Sequence, residues 1–228
     1  LWKFDGVSAT LIDINPGNGN SSAQKFTVFN SELYFMANDG TSGSELWKYD
    51  GTTTTLIEIN LGSGGSLPHG FTIFGSNLYF SASDGSGNKE LWKYDGTTAA
   101  LVQDINPAGS SNPAGFIEFN SALYFQADDG TNGAELWKYD GTIATLVQDI
   151  NPTGDSYPYE FIAMGADLYF TANDGILGTE LWMYDGTITS LVQNINPTGD
   201  SYCENKIIFS ANLYFAGDDG ADGWDLYK

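Results

Sequence analysis

The hydrophobic and polar positions of this chain alternate in short blocks, and residues 26–60 contain one full set of them. Apolar runs cover residues 26–29, 33–37, 45–49 and 54–59, and Asn, Asp, Gly, Ser or Thr residues bound each run. Short apolar runs with turn residues about every 8–12 positions predict β-strands, and no segment has the period of a helix. We therefore predict four strands, named a, b, c and d in chain order.

These blocks repeat along the whole chain. The run Leu-Trp-Lys-(Phe/Tyr)-Asp-Gly recurs every 45 residues, with Met for Lys in the fifth copy and a degenerate sixth copy; the copies start at Leu1, Leu46, Leu91, Leu136, Leu181 and Leu226. A period of this length indicates stacked supersecondary units, and four antiparallel strands per period are typical of a β-propeller blade. The sequence predicts an all-β fold and a single β-propeller domain over residues 1–228.

The number of repeats predicts five blades. Strand b is apolar on both faces, as expected of a sheet that packs between two neighbours. The chain begins at strand c and ends after strands a and b with a stub of strand c. We expect the N- and C-terminal strands to share one blade, which removes open sheet edges. Two copies of strand c compete for that blade, and we expect the N-terminal one to enter it because it has Trp2 and the Asp5-Gly6 turn. A piece of a larger ring or an open array is the alternative.

Three details of the repeat make local predictions. The Asp-Gly pair between strands c and d is typical of a type I′ hairpin turn. Glu45, Glu90, Glu135 and Glu180, each just before the core of strand c, are expected to bond neighbouring backbone, and the strand-c Trp is expected to fill the gap between sheets. Strand d of the later repeats reads Leu-Val-Gln instead of Leu-Ile, and this extra residue predicts a β-bulge.

The run Glu45-Leu46-Trp47-Lys48-Tyr49-Asp50-Gly51-Thr52 recurs at residues 90–97, 135–142 and 180–187. It is similar to the signature of the bacterial ELWxxDGT repeat family, and the flanking Leu-Tyr-Phe and Leu-Val-Gln-Asp-Ile-Asn-Pro elements match as well. The blade also resembles a kelch-type blade, and five such blades resemble the tachylectin-2 type of lectin in architecture only. The resemblance implies a secreted or cell-surface bacterial protein. The family brings no established activity, so it assigns no catalytic residues.

The strongly negative net charge of the chain limits which kinds of partner it can bind. The chain has 29 acidic residues against 8 basic ones, all of them Lys, and a net charge of −21. This composition argues against nucleic acid and anionic membranes as partners and favours cations, neutral ligands or basic proteins. No apolar run is long enough to insert into a membrane. Cys203 is the only cysteine, and the opening in mid-motif indicates a processed product or a piece of a longer array.

The longer b–c and d–a loops vary most between repeats, so binding is expected there. For a glycan ligand, aromatic rings would stack on the sugar while carboxylates and amides bond its hydroxyls. The candidate ligand-binding residues are Tyr157, Tyr159, Tyr202, His69, Asp155, Asp200 and Asn112. The alternative is that these residues only close their loops, since Asp and Asn side chains bond their own backbone in turns.

Calcium is the one cofactor that the acidic loops suggest, because hard cations prefer oxygen ligands. The candidate metal ligands are Asp128, Asp129 and Asn132 in one b–c loop, and Asp218, Asp219 and Asp222 in another. Neither group has the spacing of an EF-hand, and Asp-Gly loops also serve simply as turns. No other cofactor is expected.

We therefore predict a non-enzymatic extracellular or cell-surface scaffold that binds a protein. The alternative is a multivalent carbohydrate-binding lectin that uses clefts formed by the b–c and d–a loops. Enzymatic activity is disfavoured because His69 is the only histidine and the Gly-rich loops lack the Lys-Ser/Thr of a phosphate loop.

Overall fold

A computed structural model describes all residues from 1 to 228 and contains 21 β-strands and no helix. Consequently, no segment forms a helix that could cross a lipid bilayer. The strands are β1 (Trp2–Phe4), β2 (Ala9–Leu11), β3 (Gln24–Phe29), β4 (Glu32–Asn38), β5 (Ser44–Tyr49), β6 (Thr54–Ile57), β7 (His69–Phe74), β8 (Asn77–Ser83), β9 (Lys89–Tyr94), β10 (Ala99–Gln103), β11 (Ala114–Phe119), β12 (Ala122–Asp128), β13 (Ala134–Tyr139), β14 (Ala144–Gln148), β15 (Tyr159–Met164), β16 (Asp167–Asn173), β17 (Thr179–Tyr184), β18 (Thr189–Gln193), β19 (Glu204–Phe209), β20 (Asn212–Asp218) and β21 (Trp224–Tyr227).

Four complete antiparallel sheets have the predicted order a, b, c, d: sheet I (β3–β6), sheet II (β7–β10), sheet III (β11–β14) and sheet IV (β15–β18). Sheets I and II lie in a compact N-terminal unit, Leu1–Asp104, and sheets III and IV lie in a C-terminal unit, Ile105–Lys228. The all-β class and the four-stranded blades are confirmed. The single domain over residues 1–228 and the count of five blades stay predictions.

The two ends of the chain do not share a sheet, so that prediction is wrong for this structure. β1 pairs with β2 in a two-stranded sheet, and β21 is the third strand of a C-terminal sheet, β19–β20–β21. The C-terminal copy of strand c, not the N-terminal one, pairs with β20, with Tyr227 opposite Phe215. The rings of these two residues stack 5.7 Å apart, so Tyr227 takes the place that Trp has in the other repeats. The loop between β20 and β21 is short, and closing it loses little chain entropy.

Burial on both sides of the sheets explains the apolar character of strand b. In the N-terminal unit, Tyr34 and Phe35 are both fully buried; Tyr34 packs in a core cluster with residues of sheet II, such as Phe80. Trp47 lies opposite Phe35 and packs with Ile14 and Leu56. In the C-terminal unit, Trp182 packs in a cluster with residues of sheet III. Trp92 packs against a cluster that contains residues of sheets I and II. Trp92 and Trp182 therefore lie between sheets, as predicted, whereas Trp47 packs with sheet I and the segment before it.

The hairpin turns differ from the prediction. The left-handed pair that a type I′ turn requires occurs between strands a and b, where Asn30 and Ser31 have φ of 50° and 64°. The c–d connection is a four-residue loop instead, because Tyr49 pairs with Thr54. The Asp50 carboxylate accepts the N–H groups of both Thr52 and Thr53 at 2.7 Å. Asp50 therefore shapes the loop through its side chain, and the predicted type I′ turn at Asp-Gly is wrong.

The predicted β-bulge in the later repeats is confirmed. In β14, Leu146 pairs with Trp137 and Gln148 pairs with Leu136, so Val147 is the extra residue. The pairing registers of β10 with β9 and of β18 with β17 shift in the same way. β6 of sheet I has no shift. The bulge accommodates the additional residue without changing the register of strand c.

Glu45, Glu135 and Glu180 anchor the d–a loops that follow their sheets, as predicted. The buried Glu135 carboxylate accepts the Ile150 N–H at 2.8 Å, the Ser156 N–H at 3.0 Å and the Ser156 hydroxyl at 2.6 Å. Glu45 and Glu180 make the corresponding bonds to their own loops. Burial raises the pKa of the Glu135 carboxyl, and the hydrogen bonds oppose this shift. Each glutamate thus holds the loop that follows strand d against strand c.

Candidate functional site

The repeats differ most informatively at one backbone position in each d–a loop. The residue at this position is exposed, has a left-handed backbone with φ between 45° and 51°, and precedes a buried residue or Ala. The residues at this position, 45 residues apart, are Ser22, Leu67, Asn112, Tyr157 and Tyr202. A non-glycine residue in this conformation is uncommon and carries strain. A serine precedes this position, and its hydroxyl donates to the glutamate of strand c in the repeats of Ser66, Ser156 and Ser201. Each loop therefore displays a variable side chain from a fixed backbone.

Two successive repeats of the C-terminal unit display a tyrosine next to an aspartate. The Tyr202 hydroxyl donates to Asp200 Oδ2 at 3.0 Å, and Asp200 Oδ1 accepts the Thr179 N–H at 2.6 Å. Burial alone would raise the pKa of Asp200, but the bonds from Thr179 and Tyr202 outweigh it and lower that pKa. In the preceding repeat, Asp155 accepts the Ala134 N–H at 2.7 Å and raises the pKa of Tyr157 through a hydrogen bond. Four of the predicted ligand-binding residues thus form two matching pairs.

A cleft lies beside Asp200, between the b–c loop of sheet IV and the d–a loop that follows this sheet. We call it the IV cleft. Its volume is about 450 Å³, and its lining comprises Asn173, Gly175, Ile176, Leu177, Gly178, Pro197, Thr198, Gly199 and Asp200. Ile176 is 86% exposed and Leu177 37%. Clefts between these two kinds of loop are where the sequence predicted binding.

An aromatic pair is linked to the IV cleft through Asp200, to which the Tyr202 hydroxyl donates. The rings of Tyr202 and Trp224 stack 6.3 Å apart at an angle of 10°, and both side chains are exposed. Sequence reasoning missed Ile176, Leu177 and Trp224. A signal was present, because the repeat positions of Ile176 and Trp224 hold Thr131 and Ala134 in the repeat of sheet III.

The other predicted ligand-binding residues lie elsewhere. Tyr159 begins β15 and is half-buried; burial raises its pKa, and the Lys206 ammonium lies 5.9 Å from its ring centre. His69 begins β7, where Nδ1 lies 3.2 Å from the Leu67 carbonyl, and burial lowers its pKa. Asn112 occupies the displayed position of its loop and donates to the Ser110 carbonyl at 3.4 Å. Tyr159 and Asn112 do not line the IV cleft, and His69 belongs to the N-terminal unit.

The predicted calcium ligands bond their own loops. Asp128 accepts the Gly130 N–H at 2.6 Å, and Asp129 accepts the Thr131 and Asn132 N–H groups and the Asn132 amide. Asp218 and Asp219 make the equivalent bonds, the latter to Ala221 and Asp222. Bonds from the Asp222 and Ala221 N–H groups lower the pKa of Asp219. No three acidic, histidine or cysteine side chains converge as metal ligands.

Strand a of the last repeat contains a buried charge. Lys206 occupies the position of Phe26, Phe71, Phe116 and Phe161, and its side chain is 2% exposed. Its ammonium donates to the Thr171 hydroxyl and the Cys203 carbonyl, and it lies 3.8 Å from Glu160 Oε2. Glu160 has φ of 52° at the position that Lys25, with φ of 60°, Gly70 and Gly115 occupy in the earlier repeats. Burial lowers the pKa of Lys206 to about 8.

Comparisons with known proteins bear on the fold alone. No family model matches the chain, and no curated protein matches it. Among solved structures, it resembles the GH74 enzyme of Niastella koreensis (TM-score 0.54, 13% identity, covering 90% of this chain and 38% of that one). It also resembles a puromycin-hydrolyzing peptidase of Mycobacterium tuberculosis (TM-score 0.55, 11% identity, 88% and 35% coverage). A candidate TolB from Agrobacterium tumefaciens aligns with TM-score 0.50 at 13% identity, over 82% of this chain and 72% of that one.

The chain thus spans little more than a third of the length of the first two of these proteins. Together with the four-stranded sheets, the likenesses show a β-propeller-like repeat architecture. At identities below a quarter, they carry no activity over to this chain.

Proposed function

We propose that this chain is a non-enzymatic binding and scaffold module of a secreted or cell-surface bacterial protein, and that its partner is an extracellular protein. The observation that carries the proposal is the variable, exposed residue at one left-handed position of each d–a loop. A repeated scaffold that holds a changing side chain in a constant backbone is suited to recognition, since loops on a rigid frame commonly bind ligands. The resemblance to ELWxxDGT repeats supports the extracellular setting.

The chemistry of the buried acids also supports a scaffold. The carboxylates that burial perturbs most, such as Glu135, are occupied by backbone N–H groups and a serine hydroxyl of the adjoining loop. Exposed aspartates, such as Asp140, are occupied by the N–H groups of their own turns. These contacts assign the acids to loop geometry. The proposal includes no catalytic residue and no cofactor.

The test is capture of a protein partner by the chain and by variants of its displayed residues. Tyr157→Ser and Tyr202→Ser introduce the residue that the first repeat has at this position, so the backbone can remain unchanged. We expect both substitutions together to reduce capture at least about tenfold, since tyrosines are frequent interface hot spots. Thr55→Ala, at an exposed position of β6 outside the d–a loops, is the control and should leave capture unchanged. Equal capture by all three proteins would contradict this placement of the binding surface.

A carbohydrate ligand is the second candidate, and the stacked Tyr202–Trp224 pair beside the Asp200 carboxylate favours it. An exposed ring can cover one face of a sugar while the carboxylate bonds a hydroxyl. Several such sites in one chain could raise avidity by about 10²–10⁴. A glycan array, read in calcium and in EDTA, tests this function. Binding that Tyr202→Ser abolishes would establish a lectin, and a negative array in both buffers would leave the protein partner.

We keep the five-bladed ring as part of the proposal. The 21 strands are one more than five four-stranded blades need, and the surplus is the second copy of strand c. Deleting residues 224–228 would free that position beside β20 for the N-terminal copy. Single-particle images of the deleted chain that show five-fold closure would support the ring, and an open array would refute it.

A further inference from the structure

The IV cleft, Asp200 and the aromatic pair form one continuous surface in the C-terminal unit. Asp200 lines the cleft and bonds Tyr202, whose ring stacks on Trp224. We propose that this surface binds an extended segment of the partner protein in which a lysine or arginine follows an aliphatic residue. The cationic group would lie against Asp200 and the aromatic faces, and the aliphatic side chain would cover Ile176 and Leu177. This inference rests on the proposed function and specifies the chemistry of its partner.

The cationic half of the proposal follows from the groups at one end of the surface. Asp200 accepts hydrogen bonds from Thr179 and Tyr202, and a carboxylate has about four acceptor sites, so it retains capacity for another donor. The faces of Tyr and Trp rings attract a cation within about 6 Å. Asp222 and Asp225 flank Trp224 and are exposed. The net charge of −21 adds a long-range attraction for basic segments.

The aliphatic half follows from Ile176 and Leu177. Their large exposed surfaces stand at the tip of a polar loop, and exposed apolar surface next to a cleft is typical of an interaction site. The side chains of Ile176 and Leu177 offer no hydrogen bonds to the hydroxyls of a sugar. An aliphatic side chain that packs against them would be removed from water, which favours binding. A cleft of about 450 Å³ lies within the usual size of a binding pocket.

Both walls of the IV cleft are held in place before any ligand arrives. Asp174 Oδ1 accepts the N–H groups of Ile176 and Leu177 at 2.9 Å and 2.7 Å. On the opposite wall, the Thr198 hydroxyl donates to Asn196 at 2.9 Å, and the Asn196 amide donates to the Asp200 carbonyl at 3.0 Å. A preformed site spends less free energy on ordering when a peptide binds.

The experiment measures fluorescence anisotropy of labelled octapeptides with alternating Leu and Arg in the centre and Gly and Ser at the ends. Two further peptides replace Arg by Glu or Leu by Ser. We expect the Leu-Arg peptide to bind at least about tenfold more tightly than either of the others, because each loses one half of the recognition. Equal affinity for the three peptides, or no binding of the Leu-Arg peptide, would overturn the inference.

Protein variants locate the binding. Ile176→Thr with Leu177→Asn copies the loop of the preceding repeat, and Asp200→Asn keeps an oxygen for the Thr179 N–H while removing the charge. Each should weaken the Leu-Arg peptide at least about tenfold, and Asp200→Asn should also reduce the salt dependence of binding. Thr131→Ile, at the same loop position of sheet III, is the control and should leave the affinity unchanged. Circular dichroism and thermal melting confirm that each variant folds.

The same variants separate this inference from the proposed function. If the chain captures a protein partner and neither cleft variant reduces that capture, the inference fails while the proposed function stands. If the glycan array is positive and no protein is captured, the proposed protein-binding function fails. Competition of the Leu-Arg peptide with the captured partner would support both.

Discussion

Replacing Lys206 by Met should stabilise the protein, because Met has a similar length and no charge. The other four repeats have Phe at the position of Lys206. The Lys206 side chain is 2% exposed. Burial lowers its pKa from 10.5 to about 8. This lower pKa means that burial disfavours the protonated form by about 3 kcal/mol in the folded protein. Met also loses the bonds to Thr171 and Cys203 and leaves Glu160 without its partner, which offsets part of this penalty. We therefore expect Lys206→Met to raise the free energy of unfolding by on the order of 1–2 kcal/mol at pH 7.

The pH dependence follows from the same shift. Between about pH 8 and pH 10.5 the unfolded chain binds more protons at this site than the folded chain, so the wild-type protein gains stability as the pH rises. The advantage of the variant should therefore be complete below pH 8 and nearly absent at about pH 10.5. The ionisable groups around the ammonium are Glu160 and Tyr159 on β15, Cys203 just before β19, and Glu204 at the start of β19. Both proteins retain them, but burial raises the pKa of the Cys203 thiol and the Lys206 charge opposes this shift, so the pH dependence of the difference reports Lys206 together with the groups coupled to it.

Urea unfolding followed by tryptophan fluorescence at several pH values is the assay. Lys3→Met removes an exposed lysine of β1 and should change the unfolding free energy little at any pH. Lys206→Phe restores the residue of the other repeats, where the Phe161 and Phe170 rings lie 5.7 Å apart, and should also stabilise. A wild-type protein that is more stable than Lys206→Met at pH 7, or a difference that does not change with pH, would refute the reasoning.

Three further predictions concern the repeated acids. Glu135→Gln leaves one acceptor oxygen for three donors, the N–H groups of Ile150 and Ser156 and the Ser156 hydroxyl. Urea unfolding should therefore show a free energy of unfolding lower by about 1–3 kcal/mol. Unchanged stability would show that the second oxygen is dispensable. The Ser42 N–H lowers the pKa of Asp39 to about 2, so its contribution is present above about pH 4 and lost as the pH falls to about 2; Asp39→Ala should be destabilised at neutral pH and match the wild type at pH 2. The loop bonds of Asp129 and Asp219 predict that millimolar calcium chloride and EDTA give the same melting temperature, and a clear rise with calcium would contradict this.

The features that the sequence could predict are those that every repeat needs. A strand b with apolar residues on both faces requires sheets on both sides, and Tyr34 and Phe35 are buried accordingly. The extra residue of strand d had to appear as a bulge, because the hydrogen-bonded register on both sides of Val147 is conserved between repeats. The type I′ prediction for the Asp-Gly pair considered only the backbone conformation that Asp and Gly favour. The Asp50 carboxylate instead determines the loop, because it accepts the N–H groups of Thr52 and Thr53.

The pairing at the C-terminus depended on connectivity rather than on side-chain quality. Trp2 and the Asp5-Gly6 turn make the N-terminal copy of strand c the better match to the repeat, and the prediction relied on that match. β21 instead follows β20 after a short loop, so it pairs with little loss of chain entropy. Lys206 was overlooked for a different reason. Lysines are almost never fully buried, so an isolated Lys in a strand gives no signal of burial without comparison with the other repeats.

Two departures from the repeat in the C-terminal unit are unfavourable for folding. Ile176 exposes an aliphatic side chain where the preceding repeat has Thr131, and Lys206 buries a charge where the other repeats have Phe. Keeping the residues of the earlier repeats would avoid both. Stability therefore does not account for them, and the partner that we propose for the IV cleft would cover Ile176. The IV cleft is accordingly the first place to look for that partner.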